Sequence, residues 1–417
     1  MSTRSGFFLL GAVVALGVAA LLAASFQKRA TARSGASART GPIRPMLPEP
    51  PFVRKWSQLA GDQASVVGVR EGVVYYRSHD GVGALDLQTG LRRWSALSKQ
   101  WIAAAALQGR TLYALSQTEK AAALVAVDLE TQQPRTLARL GPSTSEVAVD
   151  STHVYVLDGA ATLRAYDPES GKVIWSRPLR PGKERGLSSA RLAPTSNGLY
   201  VGLDDGEFGL DPKDGKVLWN RPCKYAALYP PLVVGGDVIT QHDGLQRTSV
   251  RTGKVVWKAE EGYGDAVLVA GVVVCSGKKE FLGRSVTNGR VLWRLPLRDA
   301  GSSYGGADDA ATVSDGESVW VLRNPVLCVT RGGRERWRRA EPFTGTPAYA
   351  DRERLVTTDG ERIFGYATGA IPPLPSSDPE KHSLAERLAS QFEILDDAER
   401  KQLGKLAPFA FPPLLAR

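Results

Sequence analysis

Few residues in this 417-residue chain have the types and spacing that chemistry needs. There are three cysteines, Cys223, Cys275 and Cys328, and four histidines, His79, His153, His242 and His382. No histidine stands at zinc-motif spacing from another histidine or a cysteine. So few thiols, odd in number, exclude a disulfide scaffold. Cys275 (VVVCSG) and Cys328 (VLCVT) sit in apolar strand patterns and read as small buried hydrophobes. Two acidic pairs occur. Asp204-Asp205-Gly206 reads as a hairpin turn, and Asp308-Asp309 follows the Gly- and Ser-rich GSSYGGA, where it would hold a cation only weakly. His79-Asp80-Gly81 and His242-Asp243-Gly244 occupy equivalent turn contexts, which favours a structural role. No EF-hand loop, P-loop or GxSxG elbow is present. The sequence therefore singles out no catalytic residue, no metal ligand and no cofactor-binding residue, and a non-enzymatic protein without a cofactor is expected.

What does recur is structural. ALDLQTGLRRW ends at Trp94, AYDPESGKVIW at Trp175, GLDPKDGKVLW at Trp219, RTSVRTGKVVW at Trp257, GRSVTNGRVLW at Trp293 and LCVTRGGRERW at Trp337. Each places a glycine four residues before the tryptophan: Gly90, Gly171, Gly215, Gly253, Gly289 and Gly333. A seventh copy, AVDLETQQPRT ending at Thr136, keeps the Ala-x-Asp start and has lost both glycine and tryptophan. The anchors lie about 40 residues apart, the period of a propeller blade.

Each period reads as four short strands. In the third, Glu146–Val149, His153–Leu157, Thr162–Tyr166 and Lys172–Trp175 are separated by turn residues. The Asp-to-Gly segment is a hairpin turn in which glycine supplies positive φ. The tryptophan then opens the outer strand, where its ring can cover the gap between blades while its N–H seeks a backbone carbonyl. Trp101 and Trp320 fall outside this register; core packing is their simplest role, a channel-facing position the other.

This pattern resembles the PQQ-like β-propeller repeat, with its Ala-x-Asp-x-x-Thr-Gly-x-x-x-Trp docking motif. In length and repeat number the body resembles BamB-like proteins, the scaffold of an outer-membrane protein assembly machine. It departs from them in lacking a lipobox cysteine and in carrying a carboxy-terminal extension. The related PQQ-dependent dehydrogenases would imply an adjacent cysteine pair, a flat tryptophan beneath the quinone and a Glu-Asn-Asp calcium set; no adjacent cysteines occur here.

The expected architecture is an all-β, eight-bladed propeller over residues 53–370. VRKWSQL around Trp56 has no unit before it, and Pro347–Tyr366 has strand pattern but no tryptophan after it. Joining them closes the ring and removes an exposed edge. Seven blades is the alternative, if the degenerate unit near Thr136 is an excursion.

The flanks differ in kind. Phe7 to Ser25 (FFLLGAVVALGVAALLAAS) has no charge and is long enough to span a bilayer core of ~30 Å. Residues 1–26 are thus expected to be a membrane anchor, or a cleaved signal segment. Residues 27–52 read as a basic, then Pro-rich linker. Eight Lys or Arg fall within residues 1–55 against Glu49 alone, so most of the net charge of +10 belongs to this tail. A nucleic-acid surface is not expected. Residues 371–417 read as a helical extension, with a cap at Ser377-Asp378-Pro379-Glu380 and Leu384, Leu388, Phe392 and Leu395 on one face.

The expected function is a membrane-tethered scaffold that binds an envelope protein. A PQQ-dependent oxidoreductase-like protein and a polyanion or glycan binder, the latter resting on Arg331–Arg339, are the alternatives. The family resemblance implies an inner-membrane tether with a periplasmic body. The basic residues that follow the apolar segment favour a cytoplasmic one.

Overall fold

The computed structural model describes residues 52–118, 121–141, 144–180, 189–223, 229–241, 244–277, 280–296, 311–322, 326–339, 345–351 and 353–368. These form thirty-two strands in eight antiparallel sheets of four. Blade 1 spans 65–96, blade 2 101–140, blade 3 144–178, blade 4 190–222, blade 5 232–259, blade 6 263–296 and blade 7 311–339. Blade 8 takes its three inner strands from 346–368 and its outer strand from Phe52–Leu59. The first strand of each blade packs against the first strands of both neighbours, around the whole circle. Eight blades replace the seven-blade alternative, because the degenerate unit near Thr136 forms a complete sheet. The apolar segment Phe7 to Ser25, Asp308-Asp309, His242-Asp243 and the carboxy-terminal extension lie outside the described residues. No helix among the described residues is long and apolar enough to cross a membrane.

The repeat motif explains why the sheets form a ring. The Asp of each intact motif caps its own turn: Asp86 accepts hydrogen bonds from the Gln88 N–H (3.0 Å), the Thr89 N–H (2.8 Å) and the Thr89 hydroxyl (2.9 Å). Gly90, at φ 70°, closes that turn by donating its N–H to the Asp86 carbonyl. The tryptophan then lies across the glycine of the following blade. A Cβ at Gly253 or Gly289 would meet Trp219 or Trp257 at 2.7 Å, so only a bare backbone admits the indole. Each docked ring also donates its N–H across the seam. Trp175 bonds the Pro212 carbonyl, Trp257 the Val286 carbonyl and Trp293 the Arg331 carbonyl, at 2.7–2.8 Å. An aromatic body and a polar tip are both satisfied by one contact.

The outer strand opens two residues before the tryptophan, at Val173 or Val217 for example, rather than at the tryptophan itself. A β-bulge at the intervening residue turns the indole toward the neighbouring blade. Trp56 follows the same bulge, at Lys55, and reaches blade 1, donating to the Leu87 carbonyl at 3.1 Å over Gly90. The ring is thus closed by the same contact that joins blades 3 to 4, 4 to 5, 5 to 6 and 6 to 7. Further bonds lock it: the Ala60 N–H to the Glu361 carbonyl and the Thr358 hydroxyl to the Ala64 carbonyl.

Blade 2 departs from the rule. Its bulge is displaced to Leu137, and Leu137 backbone stands against Gly171 where an indole would lie. At the glycine position of its turn, Gln132 carries φ 64°.

Two outcomes follow. Trp56→Ala and Trp175→Ala, both under 10% exposed, are expected to lower stability by ~3–5 kcal/mol, while Trp101→Ala, at 46% exposure, shifts it by under ~1 kcal/mol. Gln132→Gly relieves a left-handed side chain and is expected to raise stability by up to about 1 kcal/mol. Thermal and denaturant melts of the purified chain check both.

Candidate functional site

The tryptophan and glycine residues named from the sequence are brought together as seams. Gly90 meets Trp56, Gly215 meets Trp175, Gly253 meets Trp219, Gly289 meets Trp257 and Gly333 meets Trp293. Trp94 packs with Tyr75, their centroids 6.2 Å apart, in a core cluster shared by blades 1 and 2 against which Leu129 packs. Trp337 takes its register opposite Cys328; its side chain lies outside what the structure describes. These contacts lie in the seams between blades.

Three further features were not signalled by the motif. The first is Glu207 of blade 4, which is buried. Its carboxylate accepts from the Tyr200 hydroxyl (3.0 Å), Arg221 Nε (3.1 Å) and, across the seam, the Thr240 hydroxyl (3.3 Å). Burial and the adjacent carboxylate push the Tyr200 phenol well above its usual range, so it stays a donor. This network is structural: it joins blades 4 and 5 where the core is otherwise apolar.

The second feature lies at the end of the channel where the inner strands begin. Glu146 (blade 3) and Arg191 (blade 4) stand near the starts of their inner strands, with Arg191 Nη1 3.9 Å from Glu146 Oε2. Arg77 of blade 1 donates to the Ile102 carbonyl of blade 2 at 3.1 Å. Desolvation raises the Glu146 carboxyl to about 7, against the opposing pull of Arg191 and Arg77. On the same face Trp101 is exposed, its ring edge-on to His79 at 5.3 Å, and His79 Nδ1 lies 3.1 Å from Asp62. Of the two tryptophans outside the register, Trp320 is core and Trp101 is surface. Asp204-Asp205 forms the expected hairpin turn, and it also holds the buried guanidinium of Arg180.

The third feature is the rim. On four consecutive outer strands, in blades 3–6, the residue preceding the tryptophan is an exposed aliphatic: Ile174, Leu218, Val256 and Leu292. In blades 7, 8 and 1 the equivalent residue is basic: Arg336, Lys55 and Arg93; in blade 2 the exposed Arg135, opposite Ala126 in a ladder without that bulge, is basic too.

A model of the family described as outer membrane protein assembly factor BamB matches residues 134–208 and 161–364. The chain belongs to this PQQ-like propeller family. Three solved structures share its fold. BamB from Moraxella catarrhalis aligns with a TM-score of 0.55 at 16% identity, over 76% of this chain and 100% of that one. The computationally designed Ika8 protein aligns at 0.59 and 13% identity, over 75% and 100%. The quinohemoprotein alcohol dehydrogenase ADHIIG from Pseudomonas putida HK5 aligns at 0.55 and 13%, over 79% and 78%. No curated protein matches the chain.

Among the described residues none make the adjacent cysteine pair or the acidic set that a calcium-bound quinone would need. Cys223 follows the outer strand of blade 4, Cys275 and Cys328 lie in the sheets of blades 6 and 7, and the three form no disulfide. Burial pushes the Cys275 thiol up to about 11, away from the reactive thiolate. Among the described residues no group of three or more His, Cys, Asp or Glu could hold a metal ion.

Glu146 gives a pH test. Its folded pKa lies above the ordinary carboxylate value, so the neutral form favours folding. That contribution is full below about pH 4, shrinks as pH rises, and is lost above about 7. Glu146→Gln keeps the neutral form at all pH. Its stability relative to the parent is expected to rise between pH 5 and 8, by roughly 1–3 kcal/mol. Melting curves of both proteins across that range measure it; a difference that is flat or falls with pH contradicts the assignment.

Proposed function

We propose that this protein is a non-enzymatic, membrane-tethered scaffold that holds another envelope protein against its propeller. The observation that carries the reading is the aliphatic half of the rim. Ile174, Leu218, Val256 and Leu292 are 39–56% exposed on four consecutive outer strands. Water-exposed aliphatics repeated in this way are a feature of binding surfaces rather than of a surface facing solvent alone. Each of these strands also presents one unpaired backbone edge. The partner this suits is a protein that presents apolar side chains, or a strand of its own, to several blades at once. Membership of a family described as an outer membrane protein assembly factor supports the reading.

The tether rests on Phe7 to Ser25, and the chain's later basic linker would give the propeller reach. We place the body in the periplasm, as the family implies, although the basic residues after the segment favour the cytoplasm. A cysteine at Ser37 decides between them. Labelling in intact cells by a maleimide that enters only the periplasm is expected. Labelling only after permeabilisation places the propeller in the cytoplasm and removes the envelope reading.

Photo-crosslinking from Leu218 in membranes would identify the partner. Leu218→Asp combined with Val256→Asp is expected to reduce its capture about tenfold or more, with the melting temperature unchanged. Full capture by the double variant would move the binding surface elsewhere. Addition of PQQ and calcium tests the oxidoreductase alternative: stoichiometric quinone binding with dye reduction would replace the scaffold reading.

A further inference from the structure

We propose that the basic half of the rim is a docking surface for anionic phospholipid, which sets the propeller edge-on to the bilayer. In seven blades the division between basic and aliphatic residues falls at one structurally equivalent position, the bulge residue, so it is not imposed by the fold; in blade 2 the exposed Arg135 stands opposite Ala126 without that bulge. Seven of these residues sit at or beside the same bulge, which the docking of the tryptophan requires whatever the side chain is. The outer strands of blades 7, 8, 1 and 2 carry nine Lys or Arg and one acid, Glu335. Those of blades 3–6 carry four, of which Arg221 is held by Glu207 and Arg294 by Glu261 and Glu280.

Four cations of the basic half, Lys55, Arg92, Arg135 and Arg139, are exposed. Arg92 donates to the Leu59 carbonyl at 2.9 Å, and Arg135 to the Pro168 and Glu169 carbonyls. A carbonyl orients a guanidinium without neutralising it. Arg93 is paired with Asp86 at 2.6 Å, and Arg336 donates to the Ser318 hydroxyl at 2.8 Å. At the centre of this half, on the seam between blades 8 and 1, a cleft of about 330 Å³ is bordered by Lys55, Arg354, Gln88 and Glu353. Two cations and one acid leave it net positive.

Position in the chain supplies the partner. The strand Phe52–Leu59 that carries Lys55 takes up the chain directly from the basic linker and the apolar segment. The four basic blades are therefore those centred on the point where the tether enters. Cations beside a tether are drawn to anionic headgroups, and the attraction is lost beyond a Debye length. The aliphatic half then points away from the bilayer, where a partner can reach it.

This proposal uses the tether of the preceding reading to bring the rim to the membrane, and its test separates the two. Cysteine is placed at Leu91 (blade 1 rim) or Leu292 (blade 6 rim) of the full chain in a Cys223→Ser background, and labelled with a fluorophore. The protein is set in nanodiscs of phosphatidylcholine with or without phosphatidylglycerol, containing a headgroup-linked quencher. The Leu91 label is expected to be quenched in the anionic discs and the Leu292 label several-fold less. The difference should vanish in phosphatidylcholine alone and at high salt. Lys55→Glu and Arg139→Glu should each weaken it about fivefold without changing the melting temperature. Equal quenching of both labels, or indifference to lipid charge, overturns the proposal. Displacement by millimolar inorganic phosphate at constant ionic strength also overturns it, since the surface would then serve a free anion. If the chain elutes apart from the discs, the tether reading fails by itself. The same labels are then read on added phosphatidylglycerol vesicles, where absence of binding overturns the rim proposal too.

Discussion

The contact on which the rest of this structure depends is an indole lying on a bare glycine turn, with its N–H on a carbonyl of the next blade. A four-stranded sheet has two apolar faces and cannot bury either alone. The docked ring fixes the spacing between adjacent sheets, so that each face finds its neighbour. Because the contact always runs from one outer strand to the following turn, it has a direction. A directional contact repeated around a circle either closes or leaves an edge. Closure here depends on Trp56, which comes from the opposite end of the propeller sequence to the other strands of its sheet, 346–368, and yet occupies the same bulge and meets the same kind of turn.

That constraint also explains what the exception costs. Blade 2 has no tryptophan at its anchor, and its bulge has moved to a place where Leu137 backbone fills the seam instead. The sheet survives because its inner strands are closely packed: Leu112, Ala114, Leu115, Leu124 and Val127 are fully or almost fully buried. One seam can therefore lose its indole if apolar packing on the inner strands is dense. The turn retains its Asp cap, with Asp128 accepting from Glu130 and Thr131, so the local geometry outlives the motif's glycine.

Much of this was legible in the sequence, for a physical reason. Turn caps, positive-φ glycines and docked tryptophans are local features with strict residue requirements, and repetition makes them visible. The pairing of the two orphan ends was legible because an unpaired edge strand is costly. The polar interior was not. Glu207 sits in GEFGL with nothing nearby to mark it, since the Thr240 hydroxyl it binds comes from another blade. Glu146, Arg191 and Arg77 come from three blades and meet only once the ring is formed. The Arg180 clasp by Asp204-Asp205 was hidden in the same way, behind a correct reading of those two residues as a turn.

The rim lies between these cases. Each residue before a tryptophan is visible in the sequence, but its significance is not, because ring order rather than chain order makes Arg336, Lys55, Arg93 and Arg135 neighbours. Lys55 precedes Arg336 by most of the chain and follows it by one blade in space. The fold demands a bulge at this position and is indifferent to the side chain that the bulge turns outward. Selection can therefore write a surface there without disturbing a seam. A repeat protein that holds its interior nearly constant has such positions once per blade, and their residue types carry information that the docking motif cannot. The contrast between an aliphatic half and a basic half is the form that information takes in this chain.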